Sequence, residues 1–368
     1  MIGVFGARTG AEELAALAPS VRDGWMGMGP QVAAFEAALG DRLGAPLVMV
    51  DSGSNALHAA VAALGLPPGS DVLVPSWTWI ACANAVALAG HRPVFVDVEE
   101  ATQNVTAELC AAVLTPRAAA IMVVHYAGKP VDVGAVAALG LPVLEDAAHA
   151  IDSALDGRAC GTLGAAGIYS FDAVKNLATP DGGAVTAQDP DVLERVRSLR
   201  YCGLERSGFA ASSNGGAAGR WWETAHTAPF PRMLPNDVSA SIGLAQLDRL
   251  AANQARRAAI WAHYQRELGE LGWLITPEDP GPRERHSWFT YFVRVTDGRR
   301  DALAHALLGA GIYTTMRYPP LHRMPAFGAQ AQRLPVSERL AETGLNLPLH
   351  PALTDAEVDQ VVTAVQGF

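Results

Sequence analysis

Short apolar runs recur along the first half of the chain and give way each time to longer stretches rich in Ala and Leu. The runs are "PLVMV" (46–50), "DVLVPS" (71–76), "PVFVDV" (93–98), "AAIMVVHY" (119–126), "LPVLEDA" (141–147), "GIYSF" (167–171) and "GGAVTA" (182–187). Runs this short and this continuously apolar predict strands buried on both faces. Intervening segments such as Asn55 to Leu64 and Ala81 to Ala89 predict helices. Strands alternating with helices imply an α/β fold around a mostly parallel seven-stranded sheet covered on both sides. The rhythm breaks after Arg200, where "SGFAASSNGGAAGR" (207–220) reads as a small, polar excursion. A long helical pattern from Asp237 to Leu271 then leads into a smaller α+β unit. That unit has predicted strands at "FTYFVRV" (289–295) and "IYTTMRY" (312–318) and a last helix from about Asp355. The expected division is a large domain over 1–245 and a small one over 246–368.

Composition narrows the class. Half of the 368 residues are hydrophobic and 17% are charged, which suits a packed globular chain. No run approaches the roughly 20 apolar residues of a membrane span. The start "MIGVFGARTGAEELAAL" lacks the basic and apolar blocks of a secretory signal, so a cytoplasmic location is expected. A formal charge of −10 argues against nonspecific nucleic-acid binding. The four cysteines form no C-x-x-C pair and the ten histidines no H-E-x-x-H spacing, so neither a disulfide framework nor a protein-held metal is expected.

Among 27 basic residues, 25 are Arg and two are Lys, Lys129 and Lys175. A deprotonated amine adds to a carbonyl; a guanidinium stays protonated and does not. Lys129, in "HYAGKP", reads as a loop residue. Lys175 follows the strand "GIYSF" and precedes the turn before another strand, at a sheet edge where such chemistry is placed. An amine alone fits an aldolase as well as a pyridoxal phosphate (PLP) enzyme. PLP needs a carboxylate for its ring nitrogen, a phosphate cradle and a flat surface against the ring. Asp146 ends the run "LPVLED" and should emerge at the C-terminal end of a parallel strand, with Glu145 turned to the other face. A helix N-cap fits Asp146 equally well. The strand–"SGS"–helix turn at 52–54 offers backbone N–H groups and the Ser54 hydroxyl to a dianion, although a plain Ser or Asn cap reads the same. Ser170 adds a second hydroxyl. Trp77 and Trp79, two apart in extended chain, should share a face, so either could cover the ring.

These residues, with their order and spacing, resemble the DegT/DnrJ/EryC1/StrS family of PLP-dependent aminotransferases, often called sugar aminotransferases. The likeness runs from "GPQVAAFEAALGDRLGAP" and "SGSNALHAAVAALGLPPGSDVLVPSWTWIACANAV" through "RPVFVDV", "EDAAHA", "SFDAVKNL", "GGAV" and "DVSASIGLAQL" to "LNLPLHPALT". The resemblance implies a fold-type-I, aspartate-aminotransferase-like homodimer with sites between subunits. It assigns Lys175 the internal aldimine, Asp146 the ring nitrogen, His149 the ring hydroxyl and Trp79 the stacking surface, with Ser54, Asn55 and Ser170 at the phosphate. The family's asparagine from the neighbouring subunit falls on Leu234, with Asn236 two residues on as the nearest candidate. Cys202, in "RYCGLE", stands where many members have His. Relatives carrying His in place of the lysine are dehydratases, so Lys175 favours transamination. The implied reaction moves an amino group from glutamate or glutamine to a nucleotide-linked keto sugar by ping-pong exchange through pyridoxamine phosphate, in natural-product or surface-sugar biosynthesis. A keto cyclitol (inosose) acceptor, an elimination or dehydration on the same fold, and a noncatalytic PLP-binding regulator are the alternatives. Arg220, Arg232, Arg317 and His322 are candidates to meet a diphosphate or a donor carboxylate.

Overall fold

The computed structural model describes residues 1–204, 224–328 and 332–368. The predicted excursion at 207–220, with Arg220, lies outside the described residues. Two helices, α1 (Ala11–Arg22) and α2 (Pro30–Leu43), precede the first strand. The central sheet contains β1 (Leu47–Val50), β2 (Asp71–Pro75), β3 (Arg92–Val96), β4 (Ala118–Val124), β5 (Val143–Asp146), β6 (Ala166–Ser170) and β7 (Gly183–Ala187). Their order across the sheet is β1-β7-β6-β5-β4-β2-β3. Only β7 runs against its neighbours; it is antiparallel to both β1 and β6, while the pairs from β6 to β3 are parallel. All seven predicted strands are present, shifted at their ends by a residue or two.

Helices α3 (Gly53–Ala63), α4 (Ala81–Leu88) and α5 (Pro190–Leu199) pack on one face of the sheet, in a core that includes Val48, Val74, Met122 and Ile168. The alternate residues Met49 and Tyr169 point to the other face, where α2 and the start of the long helix α6 (Asp237–Leu268) cover them. This double cover is why the strands are mostly apolar. At the join, buried Asp237 accepts hydrogen bonds from the N–H groups of Gly29 (2.9 Å) and Val32 (3.0 Å), which fixes the start of α2 on the start of α6.

The far half of α6 belongs to a second core. Ile260, Trp261, Tyr264 and Leu268 pack there with a three-stranded antiparallel sheet of β8 (Leu274–Ile275), β9 (Tyr291–Val295) and β10 (Gly344–Leu347), in the order β8-β9-β10. Helices α7 (Arg300–Gly309), α8 (Pro335–Thr343) and α9 (Asp355–Gln366) complete this end. The expected strand at 312–318 is not one. That segment makes isolated bridges, Ile312 with Ile2 and Thr315 with Asn346, and the sheet place falls to "GLNL", whose four residues are all buried. Ile2 also packs in the second core; the opening residues therefore join the C-terminal unit, and residue 245 lies inside α6. No helix among the described residues is long and apolar enough to cross a membrane.

Candidate active site

The C-terminal ends of β2, β5 and β6 and the β1–α3 turn open into one cavity of about 430 Å³. Six of the eight residues expected at a site line it: Ser54, Trp79, Asp146, His149, Ser170 and Lys175. The other two do not. Asn55 turns its amide to Asp51 (2.7 Å). Asn236 accepts from the Ser239 N–H (2.8 Å) as the N-cap of α6.

The floor is set by β5. Glu145 is fully buried on the face opposite Asp146, as the period-two alternation requires. It accepts from the N–H groups of Gly161, Leu163 and Gly164 (2.6–2.7 Å) and sits 2.8 Å from His125 Nε2. The Val131 N–H donates to His125 Nδ1 (3.0 Å), which places the imidazole proton on Nε2, facing the carboxylate. His125 then donates its own N–H to the Asp146 carbonyl (3.1 Å). Asp146 is thereby held by its strand and not as a helix cap. Its carboxylate accepts from the Ala148 N–H (2.9 Å) and from the buried Cys82 thiol on α4 (3.1 Å).

Lys175 stands in the turn after β6. The Val174 N–H donates to Asp172 Oδ1 (3.0 Å) and the Lys175 N–H to the Asp172 carbonyl (2.8 Å), closing the turn. Asn176 is tied by its amide to Gln254 on α6 and to the Ser287 carbonyl. The amine lies 5.0 Å over the Phe289 ring. Burial, with a further contribution from Arg317 and against the opposing pull of Asp146, lowers its pKa to about 8. Lys129 has the opposite surroundings. It lies 3.6 Å from Glu278 and 3.8 Å from Glu284, outside this cavity.

One end of the cavity is the β1–α3 turn. Ser52, not Ser54, is the N-cap; its hydroxyl accepts from the Asn55 N–H (3.2 Å), which leaves the Ser54 hydroxyl at the cavity. A Cβ on Gly53 would lie 2.5 Å from Ser170 Cβ, so the turn and the end of β6 touch only because Gly53 has no side chain. Trp79 is 53% exposed and lines the cavity, whereas Trp77 is fully buried against Tyr126 and Phe292. The two do not share a face. β2 ends at Pro75, and the chain bends before α4, so the extended spacing stops short of them.

His149 is stacked on Phe289, with ring centroids 4.0 Å apart. Its Nε2 lies 3.3 Å from the Tyr318 hydroxyl, and its buried Nδ1 has no partner among the described residues. Burial, then the charges of Lys175 and Arg317, push its pKa well below the usual value, so the ring is neutral near pH 7. Arg317 and Tyr318 close the cavity from the small-domain side. Of the other cationic candidates, His322 is buried between Ser76 (2.7 Å) and Glu338 (3.2 Å). Arg232 is an exposed residue bridged to Tyr201, away from the cavity wall. Thr78, Cys82, Phe289 and Tyr318 were not legible as site residues. They come from a bend, the first turn of a helix and a second unit, and none carries a local spacing signal.

An unpartnered buried imidazole nitrogen, a turn that packs closely on the end of β6 because Gly53 has no side chain, and a half-exposed indole lining the same cavity as Asp146 fit a flat, phosphorylated pyridine carrying an aldehyde. Comparison with known proteins agrees with that chemistry. The chain is 40% identical to a dTDP-4-dehydro-2,3,6-trideoxy-D-glucose 4-aminotransferase of Saccharopolyspora spinosa, over all of this chain and 96% of the relative. Among solved structures it is similar to the aminotransferase TlmJ from Streptoalloteichus hindustanus (TM-score 0.93, 41% identity, 100% and 98% of the two chains). It is also similar to DesV of S. venezuelae, solved in complex with a ketimine intermediate (TM-score 0.87, 32% identity, 97% and 94%). The DegT/DnrJ/EryC1/StrS aminotransferase profile matches residues 7–366, and the chain belongs to that family of PLP-dependent aminotransferases.

Proposed function

We propose that this enzyme moves an amino group from glutamate or glutamine to the keto group of a nucleotide-linked deoxysugar. The observation that carries the reading is the convergence of Lys175, Asp146 and the β1–α3 turn on one cavity. Bound PLP supplies an aldehyde that takes up an amine and a protonated ring that draws electrons from the adjoining carbon, alternating between aldehyde and amine forms. Asp146, anchored by Ala148 and Cys82, holds the proton on the ring nitrogen. Ser54, Ser170 and the first N–H groups of α3 bind the phosphate, where the helix dipole favours negative charge. Trp79 would cover one face of the ring, and the unpartnered His149 Nδ1 would be available to the ring oxygen. Lys175 would hold the aldehyde through its amine and would carry a proton at Nζ during the transfer; a pKa of about 8 suits that work near neutral pH. Asn55 contributes its place in the first turn of α3, and Asn236 its cap on α6.

The relative's substrate supports a 4-keto deoxysugar carried on a nucleoside diphosphate. Leu14, Val21, Trp25 and Met26, exposed along α1 and its exit, support a homodimer sharing its active sites. A cytoplasmic location completes the reading. The test is the PLP-loaded protein given glutamate or glutamine, then a nucleoside-diphosphate 4-keto deoxysugar or an inosose, read by mass spectrometry. One equivalent of 2-keto acid and an aminated nucleotide sugar are the expected products. Amination of the inosose alone would overturn the acceptor, and no keto acid from either donor would overturn the reaction.

A further inference from the structure

Residues 287–289 reach both Lys175 and His149 from a turn that carries no reactive group of its own. The Phe289 ring stacks on the His149 imidazole, with centroids 4.0 Å and planes 14° apart, and the Lys175 amine lies 5.0 Å from its centroid. Phe5 stacks on the same ring at 5.7 Å. Ser287 reaches the two residues again. Its hydroxyl donates to the His149 carbonyl (2.5 Å), and its carbonyl accepts from the side-chain amide of Asn176, next to Lys175 (2.5 Å). His149 has little other support: its Nδ1 has no partner among the described residues, and its Nε2 has the Tyr318 hydroxyl at 3.3 Å. The Phe289 face therefore sets the plane of the imidazole.

Arg257 of α6 holds the turn. It is 1% exposed, and no carboxylate among the described residues pairs with it. Burying an unpaired guanidinium is costly, and an apolar side chain of similar size would pack there more stably. The charge instead meets backbone carbonyls. Nη1 donates towards those of Trp288 (3.2 Å), Phe289 (3.2 Å) and Leu349 (2.9 Å). The Phe289 N–H donates to the Ala127 carbonyl (3.1 Å) and the Trp288 N–H to His286 Nδ1 (2.7 Å). Trp288 has a left-handed φ of 54°, a conformation that a bulky residue keeps only where its surroundings over-determine it. We propose that Phe289, locked in place by Arg257, is a positioning residue for the cofactor site: its ring fixes the plane of His149 and keeps water from the Lys175 amine. This deepens the reading above and rests on Lys175 as the residue that captures PLP.

The test follows PLP capture by the apo protein, read by absorbance, and needs no amino transfer. Asp146, Asp172, Cys82, His149 and Arg317, the charged and titratable groups around the amine, stay in place in every variant. Burial is the largest cause of the amine's lowered pKa. Phe289→Ala, which admits water, should therefore move the pH midpoint of the capture rate up by about half a unit or more. Phe289→Leu keeps the apolar bulk and loses the flat face. Its midpoint should stay close to that of the wild type, with PLP affinity about three- to tenfold weaker, the worth of an aromatic pair. Arg257→Met touches neither Lys175 nor His149, yet should move the midpoint in the same direction as Phe289→Ala. Circular dichroism and the thermal midpoint show whether each variant folds; if Phe289→Ala does not, the other two decide. An unmoved midpoint in Phe289→Ala, or undiminished affinity in Phe289→Leu, would overturn the role of the ring. An Arg257→Met protein that only melts earlier would overturn the role of the guanidinium. PLP capture by the wild type with no keto acid from either donor would end the proposed amino transfer and leave the positioning role standing.

Discussion

At the scale of the residue, the two lysines are chemically alike and differ only in what surrounds them. Lys129 has two carboxylates within 4 Å, and Lys175 has an aromatic ring, burial and a nearby guanidinium. Arginine at 175 preserves charge and length but not a deprotonatable amine. Lys175→Arg should therefore fold with an unchanged thermal midpoint and lose amino transfer by at least about 10²- to 10⁴-fold, the usual worth of a positioned acid–base group. Retained activity in that variant would move the chemistry elsewhere. The same surroundings set a pH dependence. Below a pKa of about 8 the amine is protonated and unreactive; above it the free base dominates. The rate of PLP capture by the apo protein should rise with pH and level off above about 8, and a rise that continued towards 10 would mean an ordinary, solvated lysine. Asp146 was legible because strand alternation puts neighbouring side chains on opposite faces. The Cys82 thiol on its carboxylate was not, because that contact joins the first turn of a helix to a strand end far along the chain.

At the scale of the element, the strands were the easiest to read. A strand buried on both faces is apolar at most positions, and all seven runs show that, with the charged Glu145 and Asp146 of β5 as marked exceptions. Element ends were harder. Ser52 caps α3 and frees Ser54, a choice between two serines that the turn's backbone makes. The segment 312–318 alternates like a strand yet pairs only by isolated bridges, since the edge of the small sheet is taken by "GLNL". The β1–α3 turn carries its own prediction. Gly53→Ala places a methyl 2.5 Å from Ser170 Cβ, and both sides are backbone-linked and unable to swing away. The turn must part from the end of β6, at a cost of about 1–3 kcal/mol typical of overpacking. PLP affinity, titrated by absorbance or fluorescence, should fall about tenfold or more, while far-UV circular dichroism stays the same. Undiminished affinity would mean that the phosphate lies elsewhere.

At the scale of the whole molecule, α6 ties two cores together, with Ala240 and Leu250 in one and Ile260 to Leu268 in the other. The cavity is walled by residues from distant parts of the chain: Asp146 and Ser170 from the sheet, Lys175 from the turn after β6, and Arg317 and Tyr318 from the segment that follows α7. The exposed Val21 and Trp25 belong to this scale as well. If they are the apolar face through which two copies join, Val21→Arg with Trp25→Arg should convert a dimer to a monomer in sedimentation or light scattering. A wild-type monomer, or a variant that remains dimeric, would place the contact on another surface.

The sequence by itself determined what depends on neighbours along the chain: the alternating α/β order, the identity of the amine and the acid, and the glycine-bearing turn. Those features are local, because hydrogen-bond periodicity and backbone freedom act over a few residues. Tertiary structure alone decided which serine stays free of the helix cap and how far the lysine's proton affinity falls; local spacing left the two tryptophans alike, and only the family resemblance and the fold told them apart. It also set Arg317 on Phe5, bringing an N-terminal ring beside a residue near the C-terminus. Burial and through-space charge arise from segments distant in the chain, and they exist only once those segments have packed.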